Sequence, residues 1–446
     1  MKVNLKKANL QTSTILLGET RSVCPVCLDR IDAQYMARGG RVFLEKTCPN
    51  HGHFSVAVWD SPSGFLKWKK RVEDEPEFAG NCPNDCGLCE SHLQTTCCVL
   101  LELTARCNLN CPTCFASSGG ESSDPGIDEI SGWYDMLVEK GGGFNIQLSG
   151  GEPTMRDDLP EIIQLGREKG FTFFQLNTNG LRIASEDGYI EKLAQAGLST
   201  VFLQFDGFSE KSGIALRGRN VAAEKRRAVE RCAAANVGVV LVPTVMRGAN
   251  DDELGEILRF AVDNMPIVRG VHFQPISLFG RYSAGSDARI TLPELFRLIE
   301  EQSGGDLKAS DFLPSNAEHP LCGFHADYRV KDGEWKLLKS GGDDCCCGVS
   351  SDTARTVVAR KWTVPVKAVT TPKARIYDTS SLDQFLEELR NTTLAISGMA
   401  FQDAYALDLN RLRRCYIHIV SKEGSLVPFC SYNLTSDSGK ALHRRK

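Results

Sequence analysis

Cys107-Asn108-Leu109-Asn110-Cys111-Pro112-Thr113-Cys114-Phe115 sets three cysteines in C-x3-C-x2-C spacing before an aromatic, directly after the apolar run Val99-Leu100-Leu101-Glu102-Leu103-Thr104. Three thiolates on one short loop after a strand can hold three irons of a 4Fe-4S cube and leave the fourth iron open to a small molecule. Spacing alone does not name the metal, since a zinc knuckle or a plain ferredoxin loop could share it. The segments downstream decide between these.

The first is Ser149-Gly150-Gly151-Glu152-Pro153-Thr154, behind the apolar stretch Phe144 to Leu148. Adjacent glycines let a backbone approach a ligand closely, and a carboxylate beside them can accept hydrogen bonds from an ammonium group. Further apolar runs end in polar side chains at Asn177-Thr178-Asn179-Gly180, at Gln204-Phe205-Asp206-Gly207 and at Gln274. Those are the positions where a parallel barrel presents its binding loops. Period-two and apolar runs predict strands near 98–104, 144–148, 171–177, 200–206, 237–244 and 270–276. Helical spacing falls between them near 128–140, 157–169, 186–197, 220–236 and 251–264. Six strands alternating with five helices describe a parallel sheet with right-handed crossovers. Cys232, at helical spacing from Ala228 and Val229, reads as a small core residue.

Taken together, these motifs resemble the radical S-adenosylmethionine (SAM) superfamily. The resemblance implies an α/β fold, a partial (β/α)6 barrel open at one side. It implies catalytic Cys107, Cys111 and Cys114 around a 4Fe-4S cluster whose open iron chelates SAM, an external electron donor of flavodoxin or ferredoxin type, and a 5'-deoxyadenosyl radical that abstracts hydrogen from substrate. By the same resemblance Phe115, Gly150, Gly151 and Glu152 hold SAM, Glu152 gripping its amine. Asn177, Asn179, Gln204, Asp206 and Gln274 would contact its ribose and carboxylate.

At 446 residues the chain makes two or three domains. A formal net charge of -4 argues against general nucleic-acid binding. No apolar run is long enough to span a bilayer, and Met1-Lys-Val-Asn-Leu-Lys-Lys7 lacks a signal-peptide core, so the expected location is cytoplasmic. In a reducing compartment the 18 cysteines are expected to be metal ligands rather than disulfides.

Their clustering agrees. Cys24-x2-Cys27 and Cys48-x2-His51 flank a β-hairpin with Gly39-Gly40 at its turn, a ribbon or rubredoxin-like site for mononuclear Fe or Zn whose fourth ligand is His51 or a distant cysteine. Cys82, Cys86 and Cys89 repeat the C-x3-C-x2-C spacing without the barrel strand and suit an auxiliary 4Fe-4S cluster completed by Cys97 or Cys98, here taken as Cys98. Neighbours on an extended chain oppose each other, so only one of that pair is expected at any cluster. In the tail, Cys322, one of Cys345, Cys346 and Cys347 (taken as Cys346), Cys415 and Cys430 could hold a second auxiliary cluster and fold the tail onto the barrel. The stretch Phe65 to Val72 is basic and aromatic, which allows peripheral contact with anionic lipid, and Leu442 to Lys446 reads as a frayed basic end.

These groups narrow the resemblance to the tetraether lipid synthase and pterin methyltransferase group and its bacterial radical SAM (seleno)protein relatives. The implied organisation is 1–96, a metal-binding ribbon and auxiliary segment; 97–280, the barrel; and 281–446, an α+β extension that covers the substrate. The implied reaction functionalises an unactivated carbon of a small-molecule or lipid substrate. A peptide-modifying maturase and a multi-cluster electron-transfer protein are the alternatives.

Overall fold

A computed structural model describes residues 14–69, 80–85, 87–119, 123–283, 285–315, 317–338, 350–364, 386 and 388–444. Four antiparallel strands open the chain: β1 Ile15–Val23, β2 Arg30–Arg38, β3 Arg41–Cys48 and β4 Gly52–Trp59, paired in that order. Gly39 and Gly40 make the β2–β3 turn with φ of 54° and 77°, a conformation that glycine adopts without a Cβ penalty. Alternation buries Ala33, Tyr35 and Ala37 on β2 against Val42 and Leu44 on β3.

The second sheet carries the expected alternation. Strands β5 Cys98–Thr104, β6 Asn145–Gly150, β7 Phe174–Thr178, β8 Thr200–Gln204, β9 Gly238–Val242 and β11 Val268–Pro275 run parallel and adjacent in that order, with β10 Thr244–Val245 pairing β11. Their residues are buried almost without interruption, as strands covered on both faces must be. The helices between them bury one stripe each; Leu159–Glu168, for example, turns Leu159, Ile162, Ile163 and Gly166 inward. The helix expected over 186–197 is Tyr189–Ala196, entered at Gly188, which sits at φ 74°, and a short helix that was not expected, Leu181–Ser185, precedes it. A further helix, Glu210–Arg217, follows β8 and is capped by the Ser209 hydroxyl. Cys232 is fully buried in the core, as a small apolar residue would be.

Long-range pairing continues this sheet at both edges. β15 Thr393–Met399 joins β11 in parallel, and β13 Gly323–Lys331 adds to β15 antiparallel, flanked by β12 Leu313–Pro314 and β14 Glu334–Leu338. At the opposite edge β16 Ile417–Val420 runs parallel to β5 and turns back as β17 Leu426–Pro428. The tail therefore covers both open strands of the barrel, which bare edges would otherwise expose to mispairing.

Two local expectations are corrected. In helix Pro62–Lys69, Phe65 is fully buried and Trp68 packs against Trp59 and Phe296 while its indole N–H donates to the Pro320 carbonyl, so these aromatics serve the core and cannot enter a lipid surface. Lys70, Arg71 and Val72 lie outside the described residues. Nor is the segment frayed at His443 and Arg444: the Arg444 guanidinium donates to Glu102 Oε1 at 2.6 Å and to the Ala116 carbonyl at 3.2 Å, and His443 Nε2 sits 2.7 Å from the Pro83 carbonyl, while Arg445 and Lys446 lie outside the described residues. Among the described residues no helix is long and apolar enough to cross a membrane.

A buried polar joint locks the ribbon to the tail. Both the Tyr35 and Thr20 hydroxyls donate to the Asp408 carboxylate, Ser22 Oγ donates to the Leu407 carbonyl, and Lys46 Nζ donates to the Ala404 carbonyl. Removing an acceptor strands buried donors at a cost of about 1–3 kcal/mol. Asp408→Ala should lower unfolding stability by about that amount in a denaturant titration; an unchanged midpoint would show that the joint contributes nothing.

Candidate functional site

The three cysteines that follow β5 face one internal cavity of about 260 Å³, Cys111 buried and Cys107 and Cys114 half-buried. Their loop is held from both sides. On one, Gly151 N donates to the Thr104 carbonyl at 2.7 Å and Glu152 N to the Arg106 carbonyl at 2.8 Å. A Cβ on Gly151 would stand 2.2 Å from the Arg106 oxygen, and one on Gly150, already at φ 116°, 2.4 Å from the Thr104 oxygen. The two glycines therefore admit the cysteine loop's own backbone first, a structural reason that the motif reading did not contain. On the other side Cys114 and Arg281 exchange backbone hydrogen bonds at 2.7 and 3.0 Å, and Arg281 Nε donates to the Cys111 carbonyl at 2.8 Å. Gly280 at φ 58° allows this contact, since a Cβ there would lie 2.5 Å from the Phe115 oxygen. Arg281 carried no motif and went unnoticed in the sequence.

Glu152 is buried, and its Oε1 accepts from Thr154 N, Thr154 Oγ1 and Thr178 Oγ1 at 3.1, 2.7 and 2.6 Å. Its Oε2 accepts only from Asn179 N, at 2.7 Å, which leaves a lone pair for an ammonium donor. Beside it Gly150, Gly151, Asn177, Asn179, Gln204, Gln274 and Phe115 all line the cavity. Asp206 does not. Its carboxylate takes a two-pronged bond from Arg217, both contacts 2.6 Å, and accepts Thr244 N at 3.0 Å. Arg217 lines the cavity in its place. Burial opposes charge on Arg217, but Asp206 outweighs it and holds the guanidinium protonated. The only sequence signal for Arg217 was a cation one helix beyond a strand-end carboxylate.

Aromatic rings from four segments roof the cavity. Phe429 meets Phe401 at 4.5 Å, Phe115 at 5.7 Å and Phe279 at 6.4 Å between centroids. At the opposite end Trp362 packs on Phe202 at 4.6 Å beside His272. Burial pushes the His272 imidazole down to about 4, and its Nδ1 lies 2.9 Å from Ser397 Oγ. Burial likewise raises the Cys107 and Cys111 thiols.

Elsewhere, Cys24, Cys27, Cys48 and His51 bring four donor atoms within 4.8 Å of one another at the two ribbon turns. This decides the open fourth position in favour of His51. No other trio of Cys, His, Asp or Glu among the described residues is as close. Cys82 and Cys89 share a small cavity with Asp85, His92 and Arg413, while Cys86 and Cys346 lie outside the described residues. Cys98 is not in that cavity; it lines the central one. Cys97 and Cys98, expected to diverge, hold their sulfurs 3.7 Å apart, because Cys97 sits in a bend before β5 where strand alternation has not begun. Cys322, Cys415 and Cys430 do converge, around a third cavity under the Phe401–Phe429 pair.

Three soft thiol donors on one loop, spread too widely for a single ion and facing one pocket, fit a polynuclear iron–sulfur cluster with a small ligand beside it. The site and the parallel barrel thus define an iron–sulfur enzyme of the SAM-cleaving class. A family model described as Radical SAM superfamily matches residues 101–261, and one described as HMPTM N-terminal zinc ribbon domain matches residues 16–60. The 7,8-dihydro-6-hydroxymethylpterin dimethyltransferase of Methanocaldococcus jannaschii is 35% identical, the match covering 96% of this chain and 94% of that one. The mitochondrial GTP 3',8-cyclase of Arabidopsis thaliana is 26% identical over 55% of this chain and 70% of its own. Among solved structures, Streptococcus suis SuiB bound to S-adenosylmethionine aligns at a TM-score of 0.39 and 17% identity, covering 48% of each chain. The chain belongs to the radical SAM superfamily, in the family of the M. jannaschii pterin dimethyltransferase. Membership implies a 4Fe-4S cluster and SAM as cofactors.

Two outcomes follow for the walls of this site. Asp206→Ala leaves Arg217 as an unpaired buried cation, which should cost about 3–5 kcal/mol of stability in denaturant unfolding; a loss well under about 1 kcal/mol would contradict the pairing. His272 is depressed below its unfolded value, so its share of stability is present above about pH 6.5 and is lost as pH falls through about 4. His272→Gln should flatten that part of the stability-against-pH curve.

Proposed function

We propose that this chain reductively cleaves SAM at a cluster held by Cys107, Cys111 and Cys114 and uses the 5'-deoxyadenosyl radical, which leaves as 5'-deoxyadenosine after taking a hydrogen atom, to join a carbon from a folate-type one-carbon donor to a reduced pterin-type heterocycle. The observation that carries this reading is the single cavity in which those three thiols, Glu152 and the amides of Gln147, Asn177, Gln204 and Gln274 face one another beneath the tail's aromatic roof. Carboxamides present donors and acceptors in one plane and suit the edge of an amide-bearing ring; the phenylalanines suit its faces. The relative that matches nearly the whole chain is named for acting on such a pterin.

The bound cluster supplies the electron that splits the SAM sulfonium. The chain's residues do the rest: Glu152 Oε2 orients the SAM amine, and Arg217, fixed by Asp206, offers a cation to its carboxylate. The roof and the Trp362 floor keep water from a radical it would divert. An external one-electron donor is required. We read the ribbon as a zinc site, since three thiols and one imidazole are a structural zinc set. The Cys322, Cys415 and Cys430 thiols are assigned to an auxiliary 4Fe-4S cluster, and Cys82 and Cys89 to another. On this reading residues 1–96, 97–280 and 281–446 act as ribbon, barrel and cover.

The test is anaerobic turnover of the reconstituted protein with SAM, a low-potential reductant, a methylene-bearing reduced folate as one-carbon donor and 7,8-dihydro-6-hydroxymethylpterin. The wild type should yield 5'-deoxyadenosine and a methylated pterin by mass spectrometry. Cys107→Ala, Cys111→Ala and Cys114→Ala should each abolish both, and Cys430→Ala should keep some 5'-deoxyadenosine while losing the methylated product. Deoxyadenosine formed by a Cys107→Ala protein would sink the cluster assignment; cleavage with no pterin product would remove the pterin.

A further inference from the structure

The cavity under the Phe401–Phe429 pair holds more than three thiols. Glu318 lines it together with Cys322, Cys415 and Cys430, and is 7% exposed. Ser315 and Tyr416 hydroxyls engage its carboxylate, yet Glu318 Oε2 has no hydrogen-bond partner among the described residues. A buried carboxylate oxygen without a partner is costly unless something binds it. Arg411, also buried, donates to Cys322 Sγ at 3.6 Å and leaves its Nε unpartnered. Gln402 N donates to Cys430 Sγ at 3.3 Å. Two of the three sulfurs thus receive the donors that thiolates take, Cys415 Sγ lies 3.1 Å from the Ile417 carbonyl, and a cation stands beside them to offset the negative charge of a bound cluster.

Size bears on what fits. No three of these donors lie within 4.8 Å of one another, as they would around one ion, although they all face the same space. We infer that Glu318 is the fourth ligand of the auxiliary cube held by Cys322, Cys415 and Cys430, so that one iron of that cluster is bound by a carboxylate oxygen instead of a sulfur. This rests on the auxiliary-cluster reading proposed above and replaces the cysteine of the 345–347 run as the expected fourth donor. A carboxylate is a harder ligand than a thiolate and binds iron less covalently, so the iron at Glu318 is the one most readily lost from the cube. The wall between this cavity and the central one is a single layer that includes Met399, Phe401, Ile417 and Phe429, which line both.

The experiment uses the full chain carrying Cys107→Ala, Cys111→Ala and Cys114→Ala, reconstituted anaerobically with ferrous iron and sulfide, and reads iron per chain, Mössbauer spectra and electron paramagnetic resonance. Cys322→Ala and Cys430→Ala should each remove one cube's worth of iron. Glu318→Gln should instead convert that cube to a three-iron cluster with its own paramagnetic signal, and Glu318→Cys should restore all four irons with a lower reduction potential. Spectra and iron content of Glu318→Gln identical to the parent, with Cys322→Ala and Cys430→Ala still losing iron, would overturn the ligand assignment while leaving the cluster standing. Full iron in Cys322→Ala and Cys430→Ala would overturn the cluster itself. Should Glu318→Gln fail to fold, Glu318→Cys decides alone: an unshifted spectrum refutes the assignment.

Discussion

The buried Glu152 carboxylate is the joint on which the active centre depends. It accepts from Thr154, Thr178 and Asn179, and so ties the end of β6 to the end of β7, while its own backbone N–H and that of Gly151 bind the cysteine loop after β5. Three loops are thereby fixed by one buried side chain and two amides, and hydrogen bonds to a buried charged group are strong. The two glycines before it are a condition of the arrangement, since any Cβ would enter the backbone of that loop. Rigidity at this joint, with Arg281 holding Cys111 and Cys114 from the other side, places three thiols before the central cavity.

What the rest adds is enclosure. A six-stranded parallel sheet has two bare edges, and the tail supplies a parallel neighbour to each, β15 beside β11 and β16 beside β5. Phe401 just after β15, Tyr416 just before β16 and Phe429 just after β17 all line the cavity, and Arg444 fastens the tail to Glu102 on β5. The ribbon is joined to the same tail through Asp408 and Lys46, so whatever metal orders the ribbon also steadies the segment that closes the cavity. Cover, edge strands and ribbon form one mechanical unit around a reactive intermediate that must be kept dry.

The barrel was legible because its strands are buried on both faces and its helices on one, and both patterns are local: Val99 to Leu103, Val201 to Leu203 and the stripe of Leu159, Ile162 and Ile163 announce themselves within a few residues. The ribbon was legible from Gly39-Gly40 and the paired C-x2-C and C-x2-H turns. The edge strands β15 and β16 were not, for their pairing joins residues more than a hundred positions apart and no local period records it. In the site, thiols and strand-end amides could be read from motifs, whereas Arg217 and Arg281 act through partners that only the fold brings near. Asp206 shows the same limit from the other side: its place after β8 was right, but its carboxylate is spent on Arg217. Phe65 and Trp68 looked like a lipid-facing stripe because composition cannot tell an inward face from an outward one.

The central claim is that Cys107, Cys111 and Cys114 hold a cluster against which Glu152 and Arg217 place SAM. Electron–nuclear double resonance on the reduced, reconstituted protein with SAM labelled at its amino nitrogen and carboxylate carbon tests it directly. The account predicts hyperfine coupling of both labels to a reduced cluster, lost in the Cys107→Ala protein and weakened in Arg217→Gln. A reduced cluster that shows no coupling to either label, with SAM demonstrably bound, would contradict it.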